Sequence, residues 1–185
     1  RTFRERNPTV DIVIHDEHAA VLADRVLAGQ IQFALTILGA QHWAQKSRVL
    51  FEEDFVAAVP IDHPLADRPQ LTWADLVGYP LARVSTTTSH GFILSESLNT
   101  FAHELDWRYE VQRTHMAGSL VIAGLAITVL PRAAIPKHER GRVIPTTEPS
   151  IRRTVGIISL SGVPLSPPAM QLQRMLLREI AKEWG

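Results

Sequence analysis

The sequence predicts an α/β fold built as two lobes, and three observations carry that expectation. Apolar strand-like runs alternate with stretches of helical spacing, the pattern of largely parallel sheets covered by helices. The alternation falls into two groups, 8–50 and 78–131. Extended, proline-marked segments (Pro60, Pro64 and Pro69, then Pro131, Pro136, Pro145 and Pro149) follow each group, so the lobes are joined twice.

Residues 1–6 read as the last turn of a helix, with Phe3 among arginines, and Asn7-Pro8 stops it. "VDIVIH" (10–15) reads as a strand. Asp16 is placed to cap a helix over 17–28 that presents Leu22 and Val26 on one face and ends at Gly29. "IQFALTI" (31–37) is a strand apolar enough for a buried parallel sheet, and 38–46 is a loop. "RVLF" (48–51) and "DFVAAV" (54–59) read as two short strands, and "TWADL" (72–76) as one or two helical turns under a Thr cap. "PLARVS" (80–85) is a strand. Leu94, Leu98, Phe101 and Leu105 recur at helical spacing, so 90–105 is an amphipathic helix. "WRYEVQ" (107–112) alternates like a strand, with Trp107 and Tyr109 on one face. Residues 115–123 are helical up to Gly124, and "AITVL" (126–130) is a strand closed by Pro131. "TVGIISL" (154–160) is the last strand. Ser166-Pro167 opens a final helix with Leu172, Met175, Leu176 and Ile180 on one face. Two α/β lobes joined twice is the layout of a clamshell binding protein.

The 185 residues suffice for one domain or two small lobes without covalent staples, and there is no cysteine, which excludes disulfides and cysteine–zinc sites. Lys+Arg and Asp+Glu are 19 each, so this chain lacks the basic excess of a free-standing nucleic-acid binder. No apolar run is long enough to span a membrane, and "RTFRERNP" carries no signal-peptide core. Enzyme signatures such as G-x-S-x-G, H-E-x-x-H, a P-loop or G-x-G-x-x-G do not occur. Arg152-Arg153 reads as a solvated strand start.

Four motifs in order carry a family resemblance. "PIDHPLADR" follows a strand and precedes "LTWADLVGYPLARVS"; "FRERNPTVDIVIHDEHAAVLADRVLAGQIQFALTI" lies upstream, and "LVIAGLAITVLPRAAI" downstream. Together they resemble the effector-binding domain of LysR-type transcriptional regulators, from residue 1 to 182. Gln32 stands where that family often has Asp, and Ala126 where it has a second Gly. The resemblance implies a two-lobed type 2 periplasmic-binding-protein-like fold, two Rossmann-like subdomains joined by a two-strand hinge. Subdomain I would be 1–58 plus 154–185 and subdomain II 59–153. It also implies a first strand and most of a helix ahead of Phe3, so the expectation is a compromised or strand-swapped first lobe. The family's His-Pro-Leu segment follows the strand that crosses between lobes. Pro60 and Pro64 end the ladder there, which makes His63 a turn residue rather than a chemical one.

Among chemistry-bearing stretches, "STTTSHG" (85–91) ranks first. Ser85, Thr86, Thr87, Thr88 and Ser89 lie between a strand and a helix start, where unpaired amides and hydroxyls suit an anion. Solvated loop plus Ser89 cap is the plainer alternative. "HDEH" (15–18) has two histidines but no third ligand nearby, so Asp16 as cap with His18 and Ala19 at a cleft rim is favoured over a metal. Thr36 to Gly39 and His115 with Met116 are further candidate contacts. The resemblance places an inducer carboxylate at the 85–89 loop between the lobes. The expected function is therefore effector sensing in a cytoplasmic regulator. It needs no cofactor or metal, self-associates as dimer or tetramer, and meets DNA only through an N-terminal helix-turn-helix outside this chain. A transporter's solute-binding protein and a small α/β enzyme are the rival readings.

Overall fold

The computed structural model describes residues 2–38, 45–135 and 138–184. In chain order its elements are α1 (Thr2–Arg6), α2 (Ala19–Leu27), β1 (Phe33–Ile37), β2 (Gln45–Pro60), β3 (Leu71–Thr72), β4 (Leu81–Val84), α3 (Ser89–Leu98), β5 (Trp107–Val111), α4 (Thr114–Ile122), β6 (Ile127–Pro131), β7 (Gly141–Thr147), β8 (Arg152–Leu160) and α5 (Pro167–Trp184). Short 3-10 turns cover Ala74–Leu76, Asn99–Glu104 and Arg132–Ala134. The chain divides into two compact units. Unit 1 is Arg1–Glu52 with Thr154–Gly185, and unit 2 is Glu53–Arg153.

In unit 1, β8 lies between β1 and β2. β1 pairs with β8 antiparallel, from Phe33 opposite Ser159 to Ile37 opposite Val155. α2 covers this pair, burying Leu22, Ala23 and Val26 against Ala34 and Ile158. Gly29 and Gly124 follow α2 and α4 with φ of 67° and 73°, a left-handed stop that glycine adopts without Cβ strain. The Asn7 side-chain amide donates to Phe3 O and to Gln171 Oε1, both at 3.1 Å, tying the end of α1 to α5. Ser166 caps α5, its hydroxyl accepting from the Ala169 amide at 3.4 Å.

Three expectations fail in this unit. Residues 10–15 form no strand: Val13 is 76% and Ile14 85% exposed, and no described strand pairs with them. An apolar run records a capacity to pair, while a strand requires a partner's amides and carbonyls. Asp16 is not the cap; His18 occupies that position, with no side-chain cap bond. β1 is antiparallel rather than part of a parallel sheet, and its Leu35 is exposed on the open side.

In unit 2 the strand order is β3-β7-β2-β6-β4-β5. β4 runs parallel to β5 and β6, and β3 to β7, while β2 is antiparallel to both its neighbours. The largely parallel sheet of the sequence reading is therefore mixed. Period-two alternation sends Phe55, Ala57 and Val59 to one face with Leu94 and Leu98 of α3. Ala82, Val84 and Leu130 go to the other with Ala117 of α4. Each buried Val, Leu or Phe side chain among these contributes about 1.5–3 kcal/mol.

The two short strands expected at 48–51 and 54–59 are one sixteen-residue strand, β2. Their apparent break, Glu52-Glu53-Asp54, is bridged by arginines of β8: Arg152 Nε reaches Asp54 Oδ1 at 2.6 Å and Arg153 Nε reaches Glu53 Oε1 at 2.6 Å. The expected helix over 90–105 is α-helical only to Leu98. It continues as 3-10 turns through Asn99, whose φ is +46°. Trp107 and Tyr109 do not share a face. The register slips between Leu81 and Ala82, so Trp107 joins the Leu81 side and Tyr109 the Ala82 side, the effect of a bulge. β3 and β7 have no counterpart in the sequence reading.

His63 shapes a turn. Its Nδ1 accepts from the Leu65 amide at 3.2 Å, and its ring meets Tyr79 edge-on, 4.6 Å between centroids. Burial pushes its pKa below the ordinary histidine value.

Candidate functional site

The 85–89 loop leaves the end of β4 and enters α3. Ser85 is held at the strand end by its amide, which donates to Val111 O at 2.8 Å. Thr88 is the N-cap: its Oγ1 donates to Ser85 O at 2.8 Å and accepts from the Gly91 amide at 3.1 Å. Ser89, named as the cap in the sequence reading, is instead the first residue of α3. Gly91 is required by close approach, since a Cβ there would sit 2.3 Å from the carbonyl oxygens of Val84 and Ser85. The helix start is thus pressed directly onto the strand end.

These bonds divide the hydroxyls into two sets. Thr88 is buried and its hydroxyl is committed to the cap. Ser85 is also buried, with Oγ 3.2 Å from Thr87 Oγ1. Thr86 and Thr87 are exposed. The amides of Thr86 and Ser89 have no protein acceptor among the described residues. Glu110, at the neighbouring strand end, has its pKa lowered first by Arg83, whose Nε lies 2.9 Å from Glu110 Oε2, and then by the Ser85 hydroxyl. Arg83 thus offsets the Glu110 carboxylate beside the loop. What remains is a set of neutral donors at a helix start, which suits an oxyanion.

The other candidates fall in both units. His115 and Met116 are exposed on the first turn of α4, in unit 2. His18 is exposed and Ala19 half-buried at the start of α2, and Thr36 is half-buried in β1, all in unit 1. His15 and His18 gather no metal set: among the described residues no group of three His, Cys, Asp or Glu side chains could hold a metal ion. Gly39 lies outside the described residues.

The sequence reading missed a cluster beside the loop. Glu53, buried in β2, accepts on Oε1 from Nε and Nη2 of Arg153 and on Oε2 from the Ala133 amide at 2.8 Å. Arg153 Nη1 contacts His90 Nε2, on the second residue of α3. The Arg153 side chain is only 11% exposed, against the solvated strand start expected for it. A signal was available: Glu53 stands two residues before Phe55 and four before Ala57, on the strand's buried face. Among the described residues no helix is long and apolar enough to cross a membrane.

Residues 1–181 match the family model described as LysR substrate binding domain. A regulator of Escherichia coli K12, the uncharacterized HTH-type transcriptional regulator YbhD, is 32% identical over 177 residues, covering 95% of this chain and 56% of that protein. The chain thus spans about half the length of the curated relatives it matches. Among solved structures, the regulatory domain of Synechocystis PCC6803 CcmR in complex with 2-PG superposes with a TM-score of 0.82 at 13% identity, over 97% of this chain and 88% of that one. The effector binding domain of QuiR in complex with shikimate gives 0.78 at 18% identity, over 100% and 89%. At these identities the likeness establishes the fold, the two-lobed periplasmic-binding-protein-like fold of LysR effector-binding domains.

Proposed function

Because this chain belongs to the LysR substrate-binding-domain family, we propose that it is the effector-sensing region of a LysR-type transcriptional regulator and that its effector is a small organic or aromatic acid. The ligand carboxylate docks on the 85–89 loop of unit 2, where the exposed Thr86 and Thr87 hydroxyls and the Thr86 and Ser89 amides supply neutral donors. That loop is the observation that carries the reading. The ligands named for the CcmR and QuiR structures support it, since shikimate is a carboxylate. His115 and Met116 are the remaining unit 2 contacts in this reading.

In the whole regulator, a DNA-binding helix-turn-helix outside this chain reads the promoter, and copies associate as dimer or tetramer in the cytoplasm. The ligand acts by binding one conformation of the domain better than another. The matched relatives are named transcriptional regulators, which favours this reading over a transporter's solute-binding protein or an enzyme.

A thermal-shift screen of carboxylic acids, shikimate included, tests the site. A ligand at a hundred times its Kd stabilises by about 2.7 kcal/mol, a readable shift. Thr86→Val with Thr87→Val should abolish that shift and leave the unliganded melting temperature nearly unchanged. Thr88 is unsuitable for this purpose, because its hydroxyl holds the cap. A shift that survives the double substitution puts the carboxylate somewhere else.

A further inference from the structure

We propose that Glu53 and Arg153 are positioning residues for the 85–89 loop, and that through His90 they clamp the first turn of α3 to β2 and β8 where unit 2 begins and ends. The proposal deepens the functional reading above, since the loop it positions is the one assigned to the effector carboxylate.

Geometry carries the argument. Glu53 is the buried polar residue of β2 two positions before the apolar run that starts at Phe55, and Arg153 stands near the start of β8. A buried ion pair gains little over apolar packing, so its value lies in direction. Here the directions are defined at every atom. Both carboxylate oxygens of Glu53 are occupied, one by Arg153 and the other by the Ala133 amide that follows β6. Arg153 then has one nitrogen left, Nη1, and it is spent on His90 Nε2. His90 sits between the Thr88 cap and Gly91, which touches the strand end. Four elements (β2, β8, the turn after β6, and α3) therefore meet in one connected set of bonds. A displacement of Arg153 moves the first turn of α3, and with it the amides and hydroxyls of the loop.

The test is amide exchange on the whole chain without ligand, then carboxylate binding. His90→Phe keeps a ring and removes the acceptor. It should speed exchange of the hydrogen-bonded amides within 86–92, those of Thr88, Gly91 and Phe92, about ten- to hundredfold, the size expected for losing one hydrogen bond to a charged group. Exchange in α4 should stay as in the parent. His90→Gln restores an acceptor and should restore slow exchange at 86–92. Arg153→Met should loosen the same amides as His90→Phe does; Glu53→Gln should loosen them less, and it gives a second variant if Arg153→Met does not fold. Carboxylate affinity should follow the same order, weakened in His90→Phe and recovered in His90→Gln. The clamp is refuted if His90→Phe leaves 86–92 unchanged, if it loosens α4 equally, or if His90→Gln gives no rescue. If the parent chain binds no carboxylate, the functional reading fails while the exchange data still decide the clamp.

Discussion

The starts of α2 and α3 are both preceded by polar tracts, HDEH in one case and STTT in the other, and they end up built in opposite ways. At α3 the Thr88 hydroxyl both donates and accepts, and Gly91 lets the helix rest on the strand end. At α2 the cap position is His18, whose side chain makes no cap bond, and Glu17 reaches forward to Arg25 at 2.5 and 2.8 Å. The Arg25 guanidinium holds Glu17 below the usual carboxylate range. Polar composition thus does not make a cap. A short hydroxyl one carbon from the backbone does, because it can turn back onto the third amide of the helix.

The largest effect should come from the cluster that anchors α3 and has no counterpart at α2. Glu53→Ala leaves the Arg153 charge buried without its carboxylate and should cost about 3–5 kcal/mol in urea unfolding. Next is the third helical residue. Gly91→Ala forces a Cβ against two backbone oxygens and should cost about 3 kcal/mol, at the upper end of overpacking. Val21, third in α2, is 42% exposed, so Val21→Ala should stay within about 0.5 kcal/mol.

The caps themselves differ less. Thr88→Ala should cost about 1 kcal/mol, and His18→Ala close to nothing. His18→Asp should stabilise α2, by about 0.5 kcal/mol, by supplying the missing cap and a charge that suits the helix start. Thermal unfolding reads all three, and equal costs for Thr88→Ala and His18→Ala would make the two starts equivalent after all. The smallest effect separates histidines rather than helices. His63 has its pKa lowered by burial, so the folded chain binds fewer protons there than the unfolded chain. Its contribution to stability is complete above about pH 6.5 and declines as the pH falls through that value toward the lowered folded-state pKa. His63→Ala should flatten that part of the stability–pH curve, and an unaltered slope would show that its ring is not desolvated.

Periodicity made the helices and most strands legible, because Leu22 and Val26, or Leu94 and Leu98, report their own burial. Elements defined by remote partners were not. β3 is two residues long and exists because Leu71 and Thr72 find Thr146 and Thr147. Residues 10–15 have the right pattern and no described partner. The bulge at Trp107 reversed a face assignment that alternation alone supports. The 85–89 tract was visible as a donor-rich helix start, but which hydroxyls are free depends on bonds that composition does not encode. Glu53 was hidden by its charge, although its spacing from Phe55 marked the inner face.

The stretch 53–153 opens and closes with two side chains bonded to each other. The polypeptide enters and leaves that unit at one spot, as an insert does in a host. Expressed as a separate gene fragment, 53–153 should fold as a single uninterrupted chain with adjoining ends. The host half is made of two pieces, 1–52 and 154–185, and would need a short splice across that same gap to stand by itself.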